Sequence, residues 1–166
     1  MREEVLCKLK STLGDKDALD EETCISLLRA AGCGDNIIRH SRAVAKKAAE
    51  LAAGLPLNSE LIGSAALLHD IARKEKNHAY EGYLYLRELG FEDAAEIVRQ
   101  HELLDEEGIS EAAVVYLADK YTFEDRYVSL DERFESSSLK CTTPEAVEAH
   151  RRKYNQAKAV EKLITA

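Results

Sequence analysis

The segment Ala65-Ala66-Leu67-Leu68-His69-Asp70-Ile71-Ala72 constrains the fold more than any other part of the chain. It continues the helical spacing of Leu61 and Ile62, with Asn58 placed to cap the start. Its lower half is apolar on every side, which marks a helix buried at the centre of a domain. At its end a histidine and an aspartate stand side by side. An ionised aspartate is costly to bury alone, so Asp70 needs a partner group or a metal ion. A second aspartate has the same setting in Val114-Val115-Tyr116-Leu117-Ala118-Asp119, and His40 lies on a helix face between Ile37 and Val44.

The rest of the pattern is helical too. Strand signals are almost absent, and 8 glycines with 2 prolines leave few breaks. Helices are expected near residues 2–12, 19–31, from Asp35 to the break at Gly54, 58–72, 78–89 and 92–102. Another starts at Ser110, and a last one runs from the Thr142-Thr143-Pro144-Glu145 start signal to about Ile164. Residues 121–143 read as mixed and polar, with Ser136-Ser137-Ser138 the clearest loop. The expectation is an all-α fold, a single compact domain of about six to eight helices over residues 1–166. The motif core spans about 20–135 and the C-terminal helix 142–166. That last helix carries Val147, His150, Tyr154, Ala157, Val160 and Ile164 at near-helical spacing. It packs back on the domain, or forms a homodimer contact. His150 reads as a bystander on it.

Charge narrows the function classes. Lys plus Arg is 23 against 31 Asp plus Glu, a net charge of −8, which argues against a non-specific nucleic-acid binder and a basic membrane-surface helix. An apolar fraction of 45% excludes wholesale disorder. No apolar run approaches the ~18 residues of a membrane span. Met1-Arg2-Glu3-Glu4 lacks a signal-peptide core, so a cytoplasmic protein is expected. Cys7, Cys24, Cys33 and Cys141 include no C-x-x-C pair and read as reduced thiols rather than a zinc site.

The ordered set His40, His69-Asp70, Asp119 resembles the HD-domain metal-dependent phosphohydrolases. The matching segments are Ile38-Arg39-His40-Ser41-Arg42-Ala43-Val44, Leu67-Leu68-His69-Asp70-Ile71-Ala72-Arg73 and Leu117-Ala118-Asp119-Lys120. The resemblance implies an HD-type helical domain in which His40, His69, Asp70 and Asp119 hold a first metal ion. His78 and His101 fall in the intervals where two-metal members place further ligands; with Asp70 they would hold a second. The whole order is similar to the branch that hydrolyses diadenosine tetraphosphate, a di-iron type. Two segments depart from that branch: Glu102-Leu103-Leu104 follows His101, and Tyr121-Thr122-Phe123-Glu124-Asp125-Arg126 follows Asp119.

The implied cofactor is a pair of divalent ions, Fe first, with Mn, Co, Ni or Zn compatible with imidazole and carboxylate donors. Asp70, with two oxygens, can bridge the ions and is the catalytic residue expected. Two cations near a bridging hydroxide provide a nucleophile at neutral pH and a Lewis acid for phosphoryl oxygens. The expected reaction is hydrolysis of a phosphoester or phosphoanhydride of a small-molecule nucleotide, with no nucleic acid and no membrane as partner. An acidic protein needs local positive charge for such a substrate. The candidates are Arg39, Arg42, Arg73, Lys74, Lys120 and Arg126. The rival readings are a one-metal nucleotidase acting on monophosphates and a nucleotide-sensing module without turnover.

Overall fold

Short polar side chains set most of the helix starts. In this computed structural model, which describes residues 2–166, Asp20, Asn58, Ser110, Ser129 and Thr143 each accept a backbone N–H from the first turn of the helix that follows. The helices are α1 (Arg2–Leu13), α2 (Glu21–Ala30), α3 (Asp35–Ala52), α4 (Ser59–Leu68), α5 (His78–Glu88), α6 (Glu92–Arg99), α7 (Glu111–Lys120), α8 (Leu130–Ser138) and α9 (Pro144–Ile164). One hairpin, β1 (Thr122–Phe123) and β2 (Arg126–Tyr127), joins α7 to α8. The fold is all-α as expected, with nine helices among the described residues rather than six to eight.

The additional helix is α8. The serines expected to form a loop, Ser136 to Ser138, close its last turn. Ser129 and Glu132 form a reciprocal capping box at its start, which satisfies two orphan backbone donors and overrides the weak helix preference of serine. A second difference lies at α4. The sequence pattern carries that helix to Ala72, but it ends at Leu68, and residues 69–77 follow as successive turns.

α4 is the central element. Its Ile62, Ala65, Ala66, Leu67 and Leu68 are buried, and α2, α3, α6 and α7 pack around it. α3, α4 and α7 also contact one another in all three pairings. A second group of buried side chains joins α7 to the C-terminal helices: Tyr116, Leu117, Leu130, Phe134, Ala157 and Val160. The Tyr116 hydroxyl donates to the Lys153 carbonyl at 3.0 Å, fixing α9 against α7. No helix among the described residues is long and apolar enough to cross a membrane. All four cysteines are free thiols, Cys24 and Cys33 buried.

Candidate metal centre

The early end of α4 builds the site. The His69 ring is fully buried, and its Nδ1 lies 2.7 Å from the carbonyl of Ala66, three residues back, at the point where the helical ladder stops. α6 ends the same way: Nδ1 of His101 lies 2.7 Å from the carbonyl of Val98. His40, in the second turn of α3, has its Nδ1 2.5 Å from the carbonyl of Glu124 in the β1–β2 turn. A carbonyl only accepts, so in each ring Nδ1 carries a hydrogen and Nε2 is the atom left to take a proton or a metal ion. This second partner fixes the tautomer and the ring plane, as it does for metal-binding histidines.

The three Nε2 atoms face carboxylates rather than donors. His40 Nε2 lies 3.1 Å from Asp119 Oδ1 and 3.7 Å from Asp70 Oδ2. His69 Nε2 lies 3.3 Å from Asp119 Oδ1 and 3.4 Å from Asp70 Oδ2. His101 Nε2 lies 3.6 Å from the other oxygen, Asp70 Oδ1. His78, the first residue of α5, has its Nε2 3.7 Å from that same Oδ1. Asp70 thus divides its two oxygens between the pair His40–His69 and the pair His78–His101.

Lone pairs gathered against carboxylate oxygens repel unless a cation lies among them. His69 Nε2 is buried and has no hydrogen-bond partner, an unpaired group that a cation would satisfy. Two sets of ligating atoms each lie within 4.8 Å of one another: His40, His69 and Asp119, and His69, Asp70 and His101. Imidazole and carboxylate suit a transition-metal dication. The residues therefore fit the metal ions that the sequence pattern implies.

The electrostatics agree with that fit. Burial, the largest single effect, disfavours charge on Asp70, but His69, His101 and Arg73 together outweigh it and hold the carboxyl below its usual range. Asp119 is held well below, against its burial, chiefly by Lys120 and His69. Burial disfavours a proton on His69, yet Asp70 and Asp119 raise its pKa to about 9. His101 is pushed down to about 4, by burial first and by His69 next. Two carboxylates in a buried pocket draw a proton onto one histidine where a cation is lacking.

His40, Asp70, His78, His101 and Asp119 line a cavity of about 450 Å³. Of the sequence-derived phosphate candidates, Arg73 and Lys120 line it. Arg73 Nη1 donates to His78 Nε2 at 3.4 Å. Lys120 is buried, its Nζ donating to the His101 carbonyl at 3.0 Å and standing 3.4 Å from Asp119 Oδ2. The other four lie outside the lining. Arg39 pairs with Asp125 at 3.6 Å, and Arg42 with Glu21 at 3.6 Å. Lys74 lies against Gly32, and Arg126 sits over the Phe123 ring, 4.9 Å from its centre. Arg42 borders a larger cleft of about 1080 Å³, which contains none of the six proposed ligands.

Five further lining residues carry no motif that sequence reading singled out. Arg133 and Ser137 of α8, Lys140 beyond it, and His150 and Lys153 of α9 all line the metal cavity. His150 is packed rather than solvated: its Nε2 lies 2.8 Å from Ser137 Oγ, and its ring meets Phe134 edge-on. The Ser137 hydroxyl donates to the Phe134 carbonyl, so its one hydrogen is committed and it accepts from His150. The only available signal was the spacing Arg133, Ser137, which puts both on one face of a helix that the polar composition hid.

The HD domain family model matches residues 37–124. Among curated proteins, the chain is similar to the tRNA (cytidine(56)-2'-O)-methyltransferases of Picrophilus torridus, 36% identical over 86 residues, and of Thermoplasma volcanium, 35% identical over 86 residues. Each alignment covers 49% of this chain and 25% of the relative. It is also similar to an uncharacterized protein of Methanocaldococcus jannaschii, 31% identical over 93 residues, covering 51% of this chain and 54% of the relative. The chain thus spans between a quarter and about half the length of these relatives. No solved structure matches it.

Proposed function

The chain belongs to the HD domain family, and on that footing we propose that it is a metal-dependent phosphohydrolase that cleaves a phosphoester or phosphoanhydride bond of a nucleotide at a two-ion centre. The observation that carries this reading is the division of Asp70: Oδ2 toward His40 and His69, Oδ1 toward His78 and His101. A carboxylate so placed can bridge two cations. When bound, such ions supply Lewis acidity toward phosphoryl oxygens and an acidified water.

The protein's own groups have separable tasks. His40, His69 and Asp119 would hold one ion and His78 and His101 the other, with Asp70 placed to serve both. The backbone carbonyls of Glu124, Ala66 and Val98 keep the three Nδ1 atoms protonated and the Nε2 atoms free to bind. Arg73, exposed at the cavity, is placed to hold a phosphoryl oxygen. Lys120 is positioned otherwise than a substrate clamp: buried between the His101 carbonyl and Asp119, it stiffens two ligand-bearing segments.

One observation favours a second reading, a one-metal nucleotidase. His78 Nε2 accepts from Arg73, which occupies the lone pair a second ion needs, and Glu102 stands 3.6 Å away on the same side. Metal content separates the two readings, one ion per chain or two. The names of the two methyltransferases describe proteins of which this chain spans a quarter, and no methyl transfer is proposed for it.

The deciding experiment is product release from a panel of nucleoside mono-, di- and triphosphates, cyclic nucleotides and dinucleoside polyphosphates. The protein is reconstituted with Fe(II), Mn(II) or Co(II), and Asp70→Ala is the blank. Turnover of one class, absent in the blank, is the expected result. Full metal loading with no turnover of any class would leave a nucleotide-sensing module and overturn the hydrolase.

A further inference from the structure

The metal cavity has a basic wall that no ligand or sequence motif accounts for. Five cations line it, Arg73, Lys120, Arg133, Lys140 and Lys153, in a chain of net charge −8. The last three come from α8, the turn after it, and α9, beyond residue 124, where the family match ends. None of these three forms an ion pair among the described residues, whereas Arg39, Arg42, Arg99 and Arg151 each have a carboxylate partner. Arg133 Nε is buried without a hydrogen-bond partner. Unpaired buried guanidinium nitrogen is costly, and three unpaired cations facing one cavity repel each other. Both costs vanish when an anion enters.

Four carboxylates share the lining: Asp70, Glu102, Asp119 and Glu124. Asp70 and Asp119 are turned to the histidines and to the ions those imply. Lys120 is committed to Asp119 and the His101 carbonyl. The lining cations beyond the family match that are left for a ligand are Arg133, Lys140 and Lys153.

We propose that Arg133, Lys140 and Lys153 form a second anion subsite, which holds a phosphate of the substrate other than the one at the metal centre. The inference rests on the phosphohydrolase reading and deepens it. The substrate class becomes a nucleotide with two or more phosphates, and a monophosphate leaves the wall unfilled. A guanidinium and two ammonium groups on separate elements match a chain of tetrahedral oxyanions better than a single one.

The test uses inorganic tripolyphosphate as the probe and the full chain after treatment with a chelator, so that only the protein's cations can hold it. Calorimetric titration at fixed ionic strength compares the wild type with Arg133→Gln/Lys153→Gln and with the exposed Lys140→Gln, whose folding is not at risk. Charge-assisted contacts of this kind predict a loss of at least about ten-fold in the double variant and a smaller loss in Lys140→Gln. Orthophosphate should bind the wild type more weakly than tripolyphosphate. Equal tripolyphosphate affinity across the proteins, or no preference over orthophosphate, overturns the subsite. With ions restored, the double variant should raise KM for a nucleoside triphosphate more than for a monophosphate. If the loaded protein turns over no nucleotide, the hydrolase reading falls while the chelator-treated titration still decides the subsite.

Discussion

Nε2 of His69 lies 3.4 Å from Oδ2 of Asp70, its own neighbour in sequence. Consecutive residues on an α-helix point roughly 100° apart and do not meet. These two meet because α4 stops at Leu68 and the His69 ring turns back onto the Ala66 carbonyl. His69 Nε2 then also faces Asp119, and Asp70 Oδ2 also faces His40. Asp70→Ala removes the one group that faces all four histidines, so metal content should fall from about two ions per chain to well under one, with hydrolysis lost. Elemental analysis and far-ultraviolet circular dichroism check this together; retained metal at full occupancy would reject the assignment.

The two ends of the centre should come apart by mutation. Asp70 Oδ1 faces His78 and His101, while His40 stands with Asp119 at 3.1 Å. His101→Asn should cost the ion on the Oδ1 side and leave the other, a drop of roughly one ion per chain. His40→Asn should cost the opposite ion. Unchanged stoichiometry in His101→Asn, with a single ion in the wild type, would establish the one-metal reading.

Metal binding should release a proton. In the metal-free protein burial opposes a charge on His69, but Asp70 and Asp119 prevail and set its pKa to about 9. His101, pushed down to about 4, is neutral and has none to give. A cation and the His69 proton compete for the same Nε2. Apparent affinity should therefore rise about ten-fold per pH unit up to pH 9 and level off above it. For the metal-free fold the sign is the reverse: the raised pKa adds stability that is complete below the ordinary histidine value and is lost as pH rises through about 9. Calorimetry in two buffers of different ionisation enthalpy should count about one proton released at pH 7. A count of zero would mean that the ion does not displace it.

Part of the candidate cluster was legible because its members stand where an apolar helix has no reason to carry a polar group, whereas His78 and His101 entered only through the family resemblance. His69, Asp70 and Asp119 interrupt or end buried runs, and the structure brings them together with His40. The breaks in α4 and α6 were not legible, since they depend on a histidine side chain taking a carbonyl three residues back, and periodicity does not register that. The β1–β2 hairpin escaped because its strands are two residues long and Glu124, not glycine, takes the left-handed conformation at φ 57°. Arg39, Arg42, Lys74 and Arg126 stand close in sequence to the candidate ligands, but closeness in sequence does not place a side chain in the cavity. On a helix the neighbour of an inward residue points away, and Arg39 and Arg42 are turned to Asp125 and Glu21. The further cations that do line the cavity arrive from α8, the turn after it and α9, 14 residues or more along the chain from Asp119.

The cysteines should divide cleanly in a thiol assay. Cys24 is pushed up to about 12 by burial and by Asp20 and Glu21, and Cys33 to about 11 by burial and Asp70, against Lys74. Their sulfurs point to carbonyls, Cys24 to Leu19 at 3.6 Å and Cys33 to Ile71 at 3.4 Å. At pH 8 neither offers thiolate to a reagent. The exposed Cys7 should react at once and half-buried Cys141 more slowly, with Cys24 and Cys33 reacting only on unfolding. Rapid modification of all four in the native protein would contradict the packing of α2 and of the turn after it.

Gly82 gives a prediction whose sign departs from helix propensity. In an exposed helix, Gly→Ala stabilises by about 0.5–1 kcal/mol. Gly82 lies inside α5 and is buried, and a Cβ there would come 2.9 Å from Val98 Cγ1 and 3.5 Å from Ile71 Cγ2. Val98 is fully buried on α6 and is β-branched, so its methyl has little freedom to move aside. The helices must separate, and overpacking of this kind costs ~1–3 kcal/mol. The net effect of Gly82→Ala should be a loss of about 1–2 kcal/mol, read as a melting temperature lower by roughly 2–8 °C. The displacement also reaches the site. α5 begins at His78, and Ile71 follows Asp70 directly, so moving α5 draws His78 Nε2 away from its 3.7 Å approach to Asp70 Oδ1. The variant should hold the ion on that side more weakly while the His40–Asp119 side keeps its own. A rise in melting temperature, or a proportional loss of both ions, would show that the α5–α6 contact does not position His78.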